Sequence, residues 1–313
     1  MKRNHLSVLT TPTRLCSRVV GLAAGAGVFL AGAGAAAHDP ADFLIKHRAD
    51  GRVIPVKVIQ NAGPVGLPGF QAGPSSGRHQ HHALEKVTEP NSRQPYQSVG
   101  KLAARKNATT VSYCSGSFVA PRVVLTAAHC VYDKAGPGWK RSMTFYKAKE
   151  GATAAMHTLY ACAAIPRAYK NAADNNSQFP HDYALLRMQD ESPHHLTFAA
   201  GDSLPREGTA MGYPANKGGK HMYRESGDVS AIPGSPSRIR MSYIGLGSGS
   251  SGGPWVKPTV EEASSQDYRV FGINSSSPDP DDNKYRMHSP KLPDKLNTLL
   301  KTLKNGCPQG GGS

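Results

Sequence analysis

Short β-prone runs, each bounded by turn residues, succeed one another through most of the chain. They lie at 96–102, 112–120, 123–127, 143–147, 157–164, 183–188, 210–213, 239–243, 255–257 and 268–273. Strands this short at such spacing predict an all-β sandwich or barrel. The series ends differently. Leu292, Leu296, Leu299, Leu300 and Leu303 recur at helical spacing, so one amphipathic helix is expected to close the domain. Gly306 is placed to stop it. No internal repeat is present.

What precedes the strands reads as separate. Lys2, Arg3, Arg14 and Arg18 lead into an apolar, Gly/Ala-rich stretch at 19–37 that ends in Ala35-Ala36-Ala37. A basic start, an apolar middle and small residues at the end make a secretory signal over 1–37. The rival is an uncleaved anchor helix, since a stretch of that length just reaches across a bilayer. No other segment is long and apolar enough to span, so no stable membrane association is expected once the signal is removed. Residues 38–86 are rich in Gly, Pro, Ser and His without a sustained period, and read as a pro-segment or flexible leader. Within them only residues 53–59 have the pattern of a strand. His79, His81 and His82 form a tract that is expected to bind no specific metal. The folded domain is expected over 87–307, followed by a flexible tail at 308–313.

Net charge is +15, and four of the positive charges precede residue 37 with no acids among them, so +11 remains on the exported part. A basic surface can hold acidic polymers. No basic stripe interleaved with aromatics supports nucleic-acid binding, which is not expected. Of five cysteines, Cys16 leaves with the signal. Cys114, Cys130, Cys162 and Cys307 remain, an even number suited to an oxidising extracellular or periplasmic setting. They allow three pairings.

Two local sequences carry the chemistry. Thr126-Ala127-Ala128-His129-Cys130 places a histidine where a strand runs out. Gly249-Ser250-Ser251-Gly252-Gly253-Pro254 places a serine between glycines ahead of another strand. Acyl transfer to a hydroxyl needs a nucleophile, a base to take its proton, and an acid to orient and stabilise the protonated base. Flanking glycines let the backbone turn tightly, so the N–H groups of Gly249 and Ser251 can converge on a developing oxyanion. Ser248 and Ser250 are rival nucleophiles, but neither is followed at once by Gly-Gly-Pro. These stretches resemble the histidine and nucleophile segments of the trypsin/chymotrypsin serine protease family. The resemblance implies His129 as base and Ser251 as nucleophile. It implies Asp182 as the acid, because His181-Asp182-Tyr183-Ala184-Leu185-Leu186 opens an apolar run in the manner of the family's Asp-x-Ala-Leu motif, whereas Asp174 and Asp190 do not. The order His, Asp, Ser is that of chymotrypsin and not of subtilisin or the α/β-hydrolases.

Further stretches are similar to the glutamyl endopeptidase (V8-like) branch. They are Pro95-Tyr96-Gln97-Ser98-Val99-Gly100-Lys101-Leu102, then Met211-Gly212-Tyr213-Pro214-Ala215-Asn216-Lys217, with Met222 and Ser226-Gly227-Asp228-Val229 beyond. The likeness covers about residues 90 to 305. It implies two six-stranded antiparallel β-barrels with a C-terminal helix and a cleft between the barrels. It implies the bridge Cys114–Cys130, which leaves Cys162 with Cys307. It implies a primary substrate pocket lined by Gly245, Leu246, Gly272, Asn274 and Ser275. The chain also departs from the family. Ser250 stands where trypsins carry the aspartate that pairs with a freed N-terminus, and Gly245 where they carry the aspartate that recognises Lys or Arg. Asn274 replaces the histidine of the Glu-specific Gly-Ile-His segment, and Leu246 stands close to its threonine. A glycine-floored pocket without a fixed charge is expected to admit apolar or small side chains. Asp279, Asp281 and Asp282 read as a solvated loop. The expected protein is a secreted, monomeric serine endopeptidase acting on protein or peptide substrates without metal or organic cofactor. The rivals are an inactive homologue that binds a partner and an esterase using the same three residues.

Overall fold

The computed structural model describes residues 42–48, 83–198, 203–242, 244–257, 268–276 and 286–308. The signal at 1–37, the candidate strand at 53–59, the histidine tract, Tyr243, the aspartates at 279–282 and residues 309–313 lie outside them.

In chain order the strands begin with β1 (Phe43–His47), β2 (Glu85–Lys86), β3 (Val99–Arg105), β4 (Val111–Ala120) and β5 (Val123–Thr126). The pair β6 (Tyr132–Asp133) and β7 (Gly138–Trp139) forms a small hairpin, and β8 (Arg141–Lys147), β9 (Met156–Pro166) and β10 (Ala184–Met188) complete the first half. The second half holds β11 (Thr197–Phe198), β12 (Glu207–Gly212), β13 (Tyr223–Ile232), β14 (Ser235–Ser242), β15 (Pro254–Val256), β16 (Arg269–Ile273) and β17 (Arg286–Pro290). The series of short strands expected from the sequence is therefore an all-β fold.

The first sheet runs β9-β10-β5-β4-β3-β8, and antiparallel pairing of β8 with β9 closes it into a six-stranded barrel. Closure pairs the barrel strands with one another, and β1 adds to β9 as a seventh strand. Leu102, Phe118, Val124, Phe145 and Leu186 share the barrel's inner face by register, all buried, while Leu125 and Leu185 are buried on the other face. The second sheet runs β16-β15-β12-β13-β14-β17. It curls until its outer strands meet, with a bridge between Ser276 and His288 and a bond from Ser275 N–H to the His288 carbonyl at 3.0 Å. Ala210, Ile239, Met241, Trp255, Phe271 and Met287 form its own core.

Local chemistry sets the turns. Pro121 and Arg122 alone separate β4 from β5. Pro233-Gly234 joins β13 to β14, and Gly234 has φ of 73°, a conformation that costs glycine nothing. The closing helix spans Lys295–Asn305 and buries Leu296, Leu299 and Leu303 against β5 and β10. Leu292 is buried just ahead of it. Its last carbonyls, which have no partner within a helix, accept from the Arg187 guanidinium at Leu303 and Lys304.

Some elements were not foreseen. Residues 96–98 form a 3-10 turn, and the strand starts at Val99. Neither ten-residue β13, interrupted by charged residues and a glycine, nor the short, polar β17 carries a clear strand pattern. In the stretch read as a leader, Phe43–His47 is a strand laid antiparallel on β9, with Phe43 opposite Pro166 and His47 opposite Cys162. Asp42 pairs with Lys295 at 3.7 Å, and the His47 ring meets the Pro308 carbonyl at 2.9 Å. Glu85 and Lys86 pair with β13.

Candidate active site

His129, Asp182 and Ser251 lie on segments just after or just before strands. β5 runs straight into a one-turn helix, Ala128–Val131, which carries His129. Asp182 sits just before β10, which pairs with β5 so that Ala184 faces Thr126. That register brings the aspartate alongside the histidine. His129 Nδ1 lies 2.8 Å from Asp182 Oδ2, and the backbone N–H of His129 donates to Oδ1 at 2.9 Å. The carboxylate is buried and the imidazole about one-third exposed. A donor set of this kind fixes the tautomer: with Nδ1–H held by the acid, Nε2 is left as the proton acceptor.

A further donor comes from the second sheet. Ser275, just after β16, donates from Oγ to Asp182 Oδ2 at 2.6 Å. The sequence reading assigned Ser275 to the substrate pocket, and nothing local to it indicated a contact with Asp182, 93 positions away. Lys140 Nζ donates to the His129 carbonyl at 2.9 Å, and burial pushes that amine down to about 8.

The serine-bearing loop is anchored from both sides. Ser115 on β4 donates its N–H to the Ser251 carbonyl at 2.7 Å and its Oγ to the Gly249 carbonyl at 2.9 Å. The same Oγ accepts from Tyr213 N–H at 2.9 Å. Cys130 Sγ lies 3.6 Å from the Ser251 carbonyl oxygen, a contact only, because a disulfide sulfur has no hydrogen to donate. The loop thus sits against the residue that follows His129. Gly252 N–H donates to Asn274 O at 2.6 Å, and Gly253 N–H to Ser250 O at 2.9 Å. Gly249 has φ of 88°, and a Cβ there would stand 2.7 Å from the Tyr213 carbonyl oxygen. Only glycine fits both conditions. Ser250, a rival nucleophile, is buried and donates its hydroxyl to Gly247 O at 2.7 Å. Ser251 is partly exposed.

Both bridges form as the sequence implied, Cys114–Cys130 and Cys162–Cys307. Cys114 and Cys130 lie close to His129 as a group, but with their sulfurs in a disulfide they offer no thiolate to a metal.

Of the expected pocket residues, Gly245 is partly open, while Leu246 is buried in the second core. Gly272 packs against Trp255 and Ser289. Asn274 is fully buried, and its carboxamide is used by the scaffold. It accepts from Trp255 Nε1 at 2.7 Å and donates to the carbonyls of Met211 and Ser250, each at 2.9 Å. It therefore holds the loop that carries Ser251. An acid lies against Gly245. Glu225 on β13 turns inward and accepts from Gly245 N–H at 2.5 Å. Burial pushes its carboxyl up to about 7, against the Gly245 N–H and the charge of Lys217. Sequence reading missed Glu225, whose only local signal is an acid inside an unrecognised strand.

Residues 114–261 match the family described as trypsin-like peptidase domain. Among solved structures, the fold is similar to a Glu endopeptidase in complex with MPD, with TM-score 0.58 and 19% identity over 71% of this chain and 97% of that one. It is similar to the protease Anisep from Arthrobacter nicotinovorans, with TM-score 0.54 and 19% identity over 67% and 96%. HL collagenase matches with TM-score 0.55 and 15% identity over 71% and 97%. At these identities the likeness to solved structures is one of fold.

Proposed function

We propose, from the premise that this chain carries a trypsin-like peptidase domain, that it is a secreted serine endopeptidase. Peptide bonds are hydrolysed through an acyl-enzyme on Ser251, with His129 as general base and then general acid. Asp182 holds the imidazole in the reactive tautomer, and the N–H groups of Gly249 and Ser251 stabilise the oxyanion. The observation that carries this reading is the buried Asp182 carboxylate, bonded at once to His129 Nδ1, His129 N–H and Ser275 Oγ. A buried acid oriented by three donors is arranged to accept and compensate a positive charge on the imidazole. Export agrees with the basic, then apolar N-terminus at 1–37 and with two disulfides. Among the described residues, no helix is long and apolar enough to cross a membrane. Substrates are proteins or peptides, and no cofactor takes part.

The test is to treat the purified exported chain with a fluorophosphonate, then measure cleavage of a denatured protein with and without it. Labelling at Ser251 and inhibitor-sensitive cleavage are expected. Ser251→Ala and His129→Ala should each lower turnover by about 10⁴–10⁶. Cleavage by Ser251→Ala at the wild-type rate would sink the assignment.

A further inference from the structure

Glu225 is a buried acid without a counter-charge in direct contact. It lies on β13 opposite Ala210 of β12. Its neighbour Arg224 points the other way, to Glu85 at 2.7 Å and to the Tyr96 hydroxyl. Glu225 is 9% exposed. Oε2 accepts from Gly245 N–H, while Oε1 accepts no hydrogen bond from the described residues. No Lys or Arg among them forms an ion pair with it. Burying a carboxylate with so few bonds is costly, and the Gly245 N–H and the charge of Lys217 offset only part of that cost.

Gly245 explains where relief can come from. It begins the loop that carries Ser251, six positions ahead of the serine. A Cβ built on Gly245 would meet one atom only, Glu225 Oε2 at 3.6 Å. Apart from chain neighbours nothing else lies within 4 Å of that Cβ, so the side-chain position of this glycine faces the carboxylate. Asn216 lies nearby, with Nδ2 at 3.5 Å from Gly245 O and its carboxamide about 3.0 Å from where a Cβ on Gly247 would stand. A side chain entering over Gly245 thus meets glycines on the loop side, an amide at the rim and an acid at the bottom.

We propose that Glu225 is the acid of the primary specificity pocket, and that the substrates are peptides cleaved after Lys or Arg. This rests on the endopeptidase reading of the Ser251 site and names the substrate class of that site. A long side chain ending in a cation reaches past the glycines and supplies the hydrogen bonds that Oε1 lacks. The pairing is made away from water, where charge-assisted bonds are strong. An apolar side chain would leave the carboxylate unpaired.

The test compares kcat/KM on peptides that differ only at the residue before the cleaved bond, and measures inhibition by benzamidine, a small amidinium probe. Wild type is expected to favour Lys or Arg over Leu and Ala, and benzamidine to inhibit competitively. Glu225→Gln should lower the ratio of kcat/KM for Lys or Arg to that for Leu by about 10²–10⁴. Cleavage after apolar residues by wild type, without benzamidine inhibition, would overturn the proposal, and this arm does not depend on the variant folding. An unchanged ratio in Glu225→Gln would also overturn it. Fluorophosphonate labelling separates the two readings. Labelled Ser251 with the wrong selectivity removes the role of Glu225 alone, whereas no labelling in wild type removes the endopeptidase reading and this proposal with it.

Discussion

Ser275 Oγ donates to Asp182 Oδ2 at 2.6 Å, a bond from the second sheet to an acid carried by the first. It joins the two halves at the carboxylate that orients His129. A hydrogen bond to a charged, buried group is worth about 1.5–3 kcal/mol. Ser275→Ala should therefore lower kcat roughly 10- to 100-fold, with KM little changed. Ser275→Thr, which keeps the hydroxyl, should recover most of the loss. A KM effect with kcat intact would show that Ser275 contacts substrate and does not position Asp182.

Gly249→Ala should damage turnover more than stability. The added Cβ meets the Tyr213 carbonyl and the φ of 88° disfavours any side chain, so the loop must shift and its N–H with it. Loss of one oxyanion donor costs about 10²–10³ in kcat. Single-turnover kinetics on an activated ester, compared with thermal unfolding, separates the two effects.

The bridge Cys162–Cys307 closes a loop with a sequence separation of 145. Chain-entropy reasoning assigns a loop of that size about 4–5 kcal/mol through restriction of the unfolded chain. Replacing both cysteines by serine should lower the denaturation midpoint accordingly. It should also loosen the Pro308 contact to His47, which faster amide exchange in residues 43–47 would report.

Phe43 is a buried member of the main core although it lies in the stretch that reads as a leader. Phe43→Ala should destabilise the fold by about 3–5 kcal/mol, measured by urea unfolding. A loss below about 0.5 kcal/mol would mean that this strand does not belong to the stable body.

Glu225 makes stability depend on pH in a defined direction. Its carboxyl titrates near 4.5 when exposed and at about 7 when buried. Between those values the folded form keeps a proton that the unfolded chain has lost. The contribution is therefore fully present below about pH 4.5 and is lost as pH rises through about 7. The difference curve between wild type and Glu225→Gln should fall by about 1–3 kcal/mol across that window. The same proton sets recognition, so kcat/KM for Lys and Arg peptides should rise as the carboxyl ionises, which burial delays to about pH 7. A flat difference curve between pH 4.5 and 8 would contradict this environment for Glu225.

Much of this was legible in the residues themselves. β5 is a run of β-branched and apolar residues, β10 is mostly apolar, and β4 ends in Phe118-Val119-Ala120 ahead of a Pro turn; each appears close to where its pattern predicts. Thr126-Ala127-Ala128-His129-Cys130 and the glycine-flanked Ser251 announce their chemistry because the needed residues are neighbours in the chain. The C-terminal helix follows from leucine spacing alone. β13 does not, because Arg224, Glu225, Ser226, Gly227 and Asp228 follow neither a helical nor a strand period. It is a strand because β12 and β14 flank it and satisfy its backbone.

Sequence therefore determined the strand-rich class, the closing helix, and the identity of His129, Asp182 and Ser251 as the candidates. Each depends on residue type within a few positions, where backbone preference and side-chain periodicity act. Tertiary structure decided that Ser275 meets Asp182, that Asn274 holds the loop carrying Ser251, and that Glu225 lies against Gly245. Those contacts span 93, 24 and 20 positions. No local preference encodes them, because they exist only once closure of the sheets has brought distant segments together.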